Sequence, residues 1–178
     1  MSRYGEKIDD STVRFVRTLP GPIERVWAWL TEEDKRRQWF AAGKTELRVG
    51  GKSELHFNNS KLTTPDDEPP EKYRPYSGDI RFEGKVIEID PPRLIKFSWP
   101  EADGAASEVT FELKAQGDKV VLTLTQAKLA TKDAMLSVSG GWHIHLDLLE
   151  AQLSAGKKLP AFWSRLMELE GEYAKRLG

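Results

Sequence analysis

The sequence of 178 residues contains no cysteine. This absence excludes disulfide bonds and thiolate metal sites, and it is typical of proteins from a reducing compartment. No segment approaches the roughly 20 apolar residues of a membrane-spanning helix, and the first residues lack the apolar run of a signal peptide. Neither sign of charge is in excess, because 27 Lys and Arg stand against 28 Asp and Glu. We therefore expect a cytoplasmic protein that binds neither nucleic acid nor membrane.

What the chain does have is an ordinary apolar content of 39% and six tryptophans. A chain of this length forms one domain with a sizeable core. Tryptophan supplies a large apolar surface together with an N–H group that needs a partner, so it lines both cores and cavities. Composition alone therefore indicates a globular domain and leaves open whether it contains a cavity.

The segment 140–153, GGWHIHLDLLEAQL, is predicted to be the central helix. Trp142, Leu146, Leu149 and Leu153 recur at i, i+4, i+7 and i+11, which places them on one stripe of a helix. We expect Gly140 and Gly141 to precede this helix and residues 128–139 to form a loop. The apolar stripe would cover one face of a sheet.

Alternating apolar and polar residues predict the strands of that sheet. They fall at residues 12–19, 46–49, 52–58, 79–90, 93–99, 107–115 and 119–126. Gly50-Gly51 predicts a tight hairpin between the second and third of these strands. Gly84, inside a strand, indicates a bulge or bend, and residues 100–106 are predicted to be a loop. The clean alternation of the last strands is typical of an antiparallel meander with one solvated face.

Three further helices are predicted. Pro22 suits the first turn of a helix with Ile23, Val26, Trp27 and Leu30 inward, and Thr31 is a candidate N-cap for a second helix over 31–40. Residues 160–177 carry a third apolar stripe, which either the domain or a second copy must cover. Residues 1–10 are expected to be flexible, and the Pro-rich residues 60–77 to be a long loop, either a functional flap or a passive insertion.

The chain also resembles a known protein family. The order of strand, two helices, strands and long helix is that of the helix-grip fold, and four segments carry the likeness. They are LPGPIERVWAWLTEEDKRRQWF (19–40), VGGKSELHF (49–57), GKVIEIDPPRLIKFSW (84–99) and GGWHIHLDLLEAQL (140–153). They are similar to bacterial proteins of the heat-shock protein 90 ATPase activator-like (AHSA-type) family, within the START / Bet v 1-like (SRPBCC) superfamily. The loop 60–77 and the C-terminal segment depart from that pattern.

The resemblance implies an α+β helix-grip fold, in which a seven-stranded curved antiparallel sheet surrounds a long C-terminal helix. It implies a START-like domain over 11–156 with an extra helix at 160–177, and a cavity between sheet and helix. Some superfamily members bind apolar ligands in that cavity and others are polyketide cyclases or dehydratases, while the eukaryotic namesake contacts a chaperone. Fold alone does not decide among these functions.

Candidate polar chemistry is sparse. His143 and His145 lie two residues apart on a helix, which directs them to opposite sides and prevents them from sharing a metal ion. His145 is the candidate polar anchor of the cavity. Ser137 and Ser139 are interpreted as capping residues. The charged groups are interpreted as solvated: Asp147 and Glu150 on the helix, Lys35, Arg36 and Arg37 near the N-terminus, and His56, Glu54, Glu83, Glu108 and Glu112 on the strands.

The candidate ligand-binding residues are therefore those predicted to line the cavity. They are Trp27, Trp39, Phe57, Phe82, Phe97, Trp99, Phe111, Trp142, His145, Leu146 and Leu149. Such a lining suits an apolar or aromatic ligand, but the same side chains could fill the space as an ordinary core. No cofactor, metal site or catalytic residue is predicted.

Three functions remain open. The favoured hypothesis is non-catalytic binding of a small apolar or aromatic molecule. The second is a protein-interaction module with a chaperone or homodimer contact, which should display an exposed apolar patch. The third is a cyclase- or dehydratase-like enzyme, which would need an inward-facing acid–base pair near the ligand.

Overall fold

A computed structural model describes residues 2–100 and 106–178 of the chain. Its seven strands are β1 Glu6–Asp9, β2 Thr12–Pro20, β3 Lys52–Phe57, β4 Ile80–Asp90, β5 Leu94–Pro100, β6 Ala106–Gln116 and β7 Lys119–Ala127. Its four α-helices are α1 Ile23–Thr31, α2 Glu33–Arg36, α3 Lys132–Leu153 and α4 Phe162–Leu177. Residues 101–105, which belong to the loop predicted at 100–106, lie outside the described residues.

The strands form one antiparallel sheet in the order β1-β2-β7-β6-β5-β4-β3. Its concave face buries the alternating apolar residues of β2, β5, β6 and β7 against α3. The predicted fold class, a seven-stranded sheet gripping a long helix, is therefore confirmed.

The N-terminal segment departs from the prediction that residues 1–10 are flexible. Glu6–Asp9 forms the edge strand β1, which pairs with β2. All four residues are exposed, so the segment lacks the apolar alternation from which strands are predicted. Its position depends on tertiary contacts, including the bond from the Gly5 N–H to the Tyr173 hydroxyl at 2.7 Å.

The second predicted helix is much shorter than expected. α1 continues through Thr31, whose hydroxyl donates to the carbonyl of Trp27 and does not cap a new helix. α2 ends at Arg36, and this residue is 4% exposed, which corrects its interpretation as solvated. The Arg36 guanidinium donates to the carbonyls of Ala41, Gly43 and three further groups. These bonds fold the following chain back towards β3.

The predicted Gly-Gly hairpin is wrong in its first arm. Residues 46–49 are not a strand, and β3 pairs on its other side with β4, with Leu55 opposite Phe82. The turn is instead bonded to β4, because the Gly50 N–H donates to the carbonyl of Val86. The irregularity in β4 lies between Val86 and Glu88 and not at Gly84. At Gly84 the neighbouring strand comes too close for a side chain, because a Cβ would lie 2.3 Å from the carbonyl oxygen of Ser98.

Helix α3 begins eight residues earlier than predicted. Thr131 is its N-cap, and the Thr131 side chain accepts a hydrogen bond from the N–H of Ala134. The residues predicted as a loop, 128–139, therefore include its first two turns, and Ser137 and Ser139 lie inside the helix. The Ser139 hydroxyl donates to the carbonyl of Met135. The two glycines break the sequence pattern without ending the helix, because tertiary packing outweighs the cost of about 1 kcal/mol for each.

Helix α4 covers the outer face of α3. Its stripe of Phe162, Leu166, Leu169 and Tyr173 is buried, so the domain itself buries it. Both faces of α3 are consequently covered, one by the sheet and the other by α4. This explains why α3 has buried residues all round the helix.

The long segment 60–77 packs against α4. It contains two short 3-10 helices, Asn59–Leu62 and Glu71–Tyr76. Asp67 accepts the N–H groups of Trp163 and Ser164 at the start of α4, at 2.6 and 3.1 Å, and Tyr73 hydrogen-bonds Glu170. The carboxylate of Asp67 therefore caps a helix almost a hundred residues away, a role invisible to local sequence patterns.

Candidate functional site

An apolar groove opens between the N-terminal half of α3 and the ends of β3, β4 and β5. Its volume is about 190 Å³. Its lining residues are Phe40, Phe57, Asn59, Ile80, Phe82, Trp99, Ser137, Val138, Gly141, Trp142 and His145. We refer to this space as the α3 groove.

Interlocking aromatic rings form the walls of the α3 groove. Phe40 stacks on Trp142 with ring centroids 4.9 Å apart, and Phe57 meets Phe40 edge-on at 4.9 Å. On the sheet side, Phe82 packs edge-on against Trp99 at 5.3 Å. Offset and edge-on pairs are the favoured arrangements of aromatic rings. The walls are thus held by mutual packing in the absence of a ligand.

The two glycines of α3 explain why there is space beside the helix. A Cβ on Gly140 would lie 3.4 Å from Cδ1 of Leu166, so a hydrogen atom there lets α4 approach closely. A Cβ on Gly141 would meet no atom within 4 Å. Gly141 therefore borders open space, and any larger side chain at this position would project into the α3 groove.

His145 is the ionisable residue among the described lining residues. Its Nδ1 lies 2.8 Å from the carbonyl oxygen of Trp39. Burial lowers the pKa of His145 to about 4, against the smaller opposing effect of that hydrogen bond. The imidazole is therefore neutral at pH 7. No carboxylate lies among the described lining residues, so the acid–base pair that the enzyme hypothesis needs is not found in this part of the chain.

Three other polar side chains border the groove: Trp142, Asn59 and the exposed Ser137. The Trp142 N–H donates to Gln126 at 2.7 Å, and the Gln126 amide donates in turn to Ser107 at 2.8 Å. The N–H donor of the Trp142 indole therefore already has an acceptor. By contrast, Oδ1 of Asn59 is buried without a hydrogen-bond partner.

The structure brings five of the eleven predicted residues to the groove: Phe57, Phe82, Trp99, Trp142 and His145. The other six do not line it. Trp39, Phe97, Phe111, Leu146 and Leu149 are buried in the core and Trp27 is half-buried on α1. Next to Leu30 and Phe111 only about 10 Å³ remains, which barely holds one water molecule. The prediction extended the cavity along the whole sheet–helix interface, whereas α1 and the segment after α2 fill its wider part.

Six groove residues were missed by sequence reasoning: Phe40, Asn59, Ile80, Ser137, Val138 and Gly141. Two of them, Ser137 and Val138, lie on the turns of α3 that were predicted as loop. A signal was present, because Thr131 is a good N-cap and Met135, Val138 and Trp142 continue the helical spacing back towards it. Asn59 follows the end of β3, and nothing local indicates that it faces inward.

His143 points to the opposite side of α3, as the two-residue spacing predicts. The Tyr173 hydroxyl accepts the Gly5 N–H and lies 2.8 Å from Nδ1 of His143. Burial lowers the pKa of His143 to about 4, although Asp147 opposes this effect. Nε2 of His143 faces the Asp147 carboxylate at 3.6 Å. Because a carboxylate only accepts, this favours the proton on Nε2 and leaves Nδ1 to accept from the Tyr173 hydroxyl.

The charges predicted to be solvated on α3 belong to a partly buried ion network. Arg17, only 3% exposed, lies 2.8 Å from Asp147. Arg3 contacts both Asp147 and Glu150, at 2.7 and 2.8 Å, and Lys157 reaches Glu150 at 2.8 Å. Arg17 lies at a buried position of β2, and a buried arginine requires acidic partners. The network fastens the N-terminus and β2 to α3.

Metal ligation and membrane insertion are the two remaining features of the described residues. Within residues 2–100 and 106–178, no three His, Asp or Glu side chains are grouped so that they could hold a metal ion. Across the same residues, no helix combines the length and the apolar character needed to cross a bilayer.

The sheet, the enclosed helix and the groove between them define a helix-grip protein. A comparison with protein-family models matches residues 20–154 to the family described as Activator of Hsp90 ATPase homolog 1-like protein. This match covers well over half of the chain, and the chain belongs to this family. A comparison with curated proteins finds no match.

Solved structures show the same architecture. The protein encoded by gene BPP1335 of Bordetella parapertussis, determined by solution NMR, is 43% identical, with 98% of this chain and 91% of that chain covered and a TM-score of 0.83. CalU16 from Micromonospora echinospora is 22% identical, with coverages of 93% and 88% and a TM-score of 0.68. DynU16, from the dynemicin biosynthetic locus, is 20% identical, with 87% of this chain but 51% of that chain covered and a TM-score of 0.65. The last two show a shared fold only.

Proposed function

We propose that this protein binds a small apolar or aromatic molecule in the α3 groove. The observation that carries the proposal is the open space of about 190 Å³ between preformed aromatic walls. Ile80, Phe82 and Trp99 are only half-buried in the free protein. A ligand that covered them would gain the free energy of removing apolar surface from water.

The size of the groove limits the ligand. An apolar cavity of about 150 Å³ accommodates benzene, so a space of about 190 Å³ suits a molecule of one or two rings. Naphthalene is therefore a suitable first probe. Its binding would quench or shift the fluorescence of Trp99 and Trp142, both of which line the groove.

The experiment uses two matched glycine variants. Gly141→Leu would obstruct the groove, because its four added carbon atoms extend into the open space beside Gly141. Gly171→Leu is the control, because Gly171 lies exposed on α4 and a Cβ there also meets no atom within 4 Å. We expect saturable naphthalene binding in the natural protein and in Gly171→Leu, and its loss in Gly141→Leu. No binding to the natural protein, or equal binding to all three, would refute the proposal.

A second candidate function is contact with a chaperone, as the family description suggests. It is favoured by three exposed apolar side chains, Leu47, Val49 and Ile87, with exposures of 46%, 66% and 38%. Val49 and Ile87 are near neighbours, because the adjacent residues Gly50 and Val86 are hydrogen-bonded. The test is the ATPase rate of a purified bacterial Hsp90-type chaperone with and without the protein. A stimulation that Val49→Asp abolishes would support this function, and an unchanged rate would contradict it.

A further inference from the structure

The hydrogen-bonding pattern of His145 fixes what the α3 groove offers to a ligand. A carbonyl oxygen can only accept, so the contact between Nδ1 and the Trp39 carbonyl requires the proton to be on Nδ1. In a neutral imidazole the other nitrogen, Nε2, is then an acceptor. No described residue hydrogen-bonds to Nε2, and it is not among the fully buried polar atoms that lack a partner. Nε2 is therefore an acceptor without a donor among the described residues, on a side chain that lines the groove.

Asn59 adds a second acceptor on the same groove. Its Oδ1 is buried and makes no hydrogen bond, which costs about 1–3 kcal/mol for a typical polar group. Trp142 cannot supply a donor to this oxygen or to a ligand, because its N–H is bonded to Gln126. Nε2 of His145 and Oδ1 of Asn59 are thus two acceptors without a donor among the described residues.

The charges around the groove restrict the ligand further. The described lining residues include no Lys, Arg, Asp or Glu, and burial keeps His145 neutral by lowering its pKa to about 4. A carboxylate ligand would meet no counter-charge among these residues. An ammonium ligand could use the aromatic faces, but it would lose its hydration with no carboxylate to replace it.

From this geometry we infer that the ligand is an uncharged aromatic molecule whose hydroxyl group donates a hydrogen bond to Nε2 of His145. Asn59, whose Oδ1 has no partner on the same groove, would accept from the same hydroxyl or from a second one. The inference rests on the proposed binding function and narrows it to hydroxylated ligands. It makes His145 a specificity-determining residue and Asn59 its auxiliary.

A set of four naphthalenes tests the inference. They share one ring system and differ in a single group: naphthalene itself, 2-naphthol, 2-naphthoate and 2-naphthylmethylammonium. A net hydrogen bond contributes about 0.5–1.5 kcal/mol, so we expect 2-naphthol to bind about three- to tenfold more tightly than naphthalene. Both charged compounds should bind more weakly than naphthalene. Tighter binding of either charged compound, or equal binding of naphthol and naphthalene, would overturn the inference, whereas no binding of any compound would refute the proposed function itself.

Nitrogen NMR of the histidine rings detects the hydrogen bond to Nε2 of His145 directly and requires no substitution of this buried residue. The chain has three histidines, so their side-chain nitrogen signals can be assigned individually. We expect Nε2 of His145 to have the shift of an unprotonated nitrogen in the free protein and to move with 2-naphthol but not with naphthalene. A proton on Nε2 in the free protein, or equal movement with both compounds, would overturn the inference.

A substitution tests the role of the second acceptor. Asn59→Leu retains a similar volume and removes the amide, and Asn58→Leu, at the neighbouring position outside the described groove lining, is its control. We expect Asn59→Leu to reduce the preference for 2-naphthol over naphthalene and Asn58→Leu to leave it unchanged. An undiminished preference in Asn59→Leu would remove Asn59 from the proposed site.

Discussion

Replacing Gly141 by alanine should stabilise the protein and impair its groove at the same time. Glycine inside a helix costs about 1 kcal/mol relative to alanine. The new methyl group meets no atom within 4 Å, so no clash offsets the gain. We therefore expect the free energy of unfolding, measured by urea denaturation, to rise by about 1 kcal/mol.

The same substitution at two other glycines separates helix propensity from position. Gly171→Ala, also in open space on α4, should give a similar gain in stability. Gly140→Ala should gain less, because its methyl group lies 3.4 Å from Leu166, where the two helices must yield slightly. Of the three variants, only Gly141→Ala should weaken the binding of naphthalene.

Two results would refute this reasoning. If Gly141→Ala destabilised the protein, the position would not border open space. If Gly141→Ala and Gly171→Ala changed naphthalene affinity equally, the groove would not be the binding site. The expected combination, greater stability with weaker binding, is the trade-off found where a protein keeps space for a ligand.

Three further predictions concern the polar contacts that hold the fold. Asp67→Ala removes the cap of α4 and should lower the free energy of unfolding by about 0.5–2 kcal/mol in urea denaturation; an unchanged stability would mean that the cap is dispensable. Arg36→Met leaves several buried carbonyls without donors and should cost at least about 3 kcal/mol, measured in the same way; a cost below about 1 kcal/mol, the usual size for a surface substitution, would contradict this view. His143 and His145 are neutral in the folded state because burial lowers the pKa of each to about 4, whereas each takes up a proton in the unfolded chain near pH 6.5. Stability should therefore fall as the pH is lowered from 6.5 towards 4, by up to about 1.4 kcal/mol per pH unit for each histidine; a flat profile between pH 7 and 5 would contradict the burial of both.

Regular alternation explains why the sheet could be predicted. Along most of β6 and β7 every second residue is apolar, and the observed burial follows that period closely; the buried pair Ser107 and Gln126 is the polar exception. β1 has no such period and is held at the edge by contacts with distant residues. The first arm of the predicted hairpin was misplaced: Gly50-Gly51 makes a turn, but the segment before it pairs with β3 at two isolated bridges, Ala42 with His56 and Thr45 with Ser53, and not as a continuous strand at 46–49.

The site was harder to predict than the fold because its position depends on where the packed aromatic side chains fail to fill the space between sheet and helix. Trp39 and Trp142 have the same side chain, yet Trp39 lies in the core and Trp142 borders the groove. Sequence pattern gives the face on which a residue lies but not the volume opposite it. Buried ion pairs were hidden for a similar reason. Asp147 appears solvated on its own helix, and only the fold brings it to Arg17.

The groove follows from the size of one side chain and not from loose packing of α3. This helix is held from outside, where Gly140 admits α4 and Tyr173 hydrogen-bonds His143, and from inside by the bond between Trp142 and Gln126. With the helix fixed on both sides, the absence of a side chain at Gly141 leaves space that α3 cannot collapse to fill. The two histidines differ in the same way, one facing α4 and the other facing the groove. His143 gives its Nδ1 acceptor to the docking of α4, and His145, protonated on the other nitrogen, keeps an acceptor available on the groove.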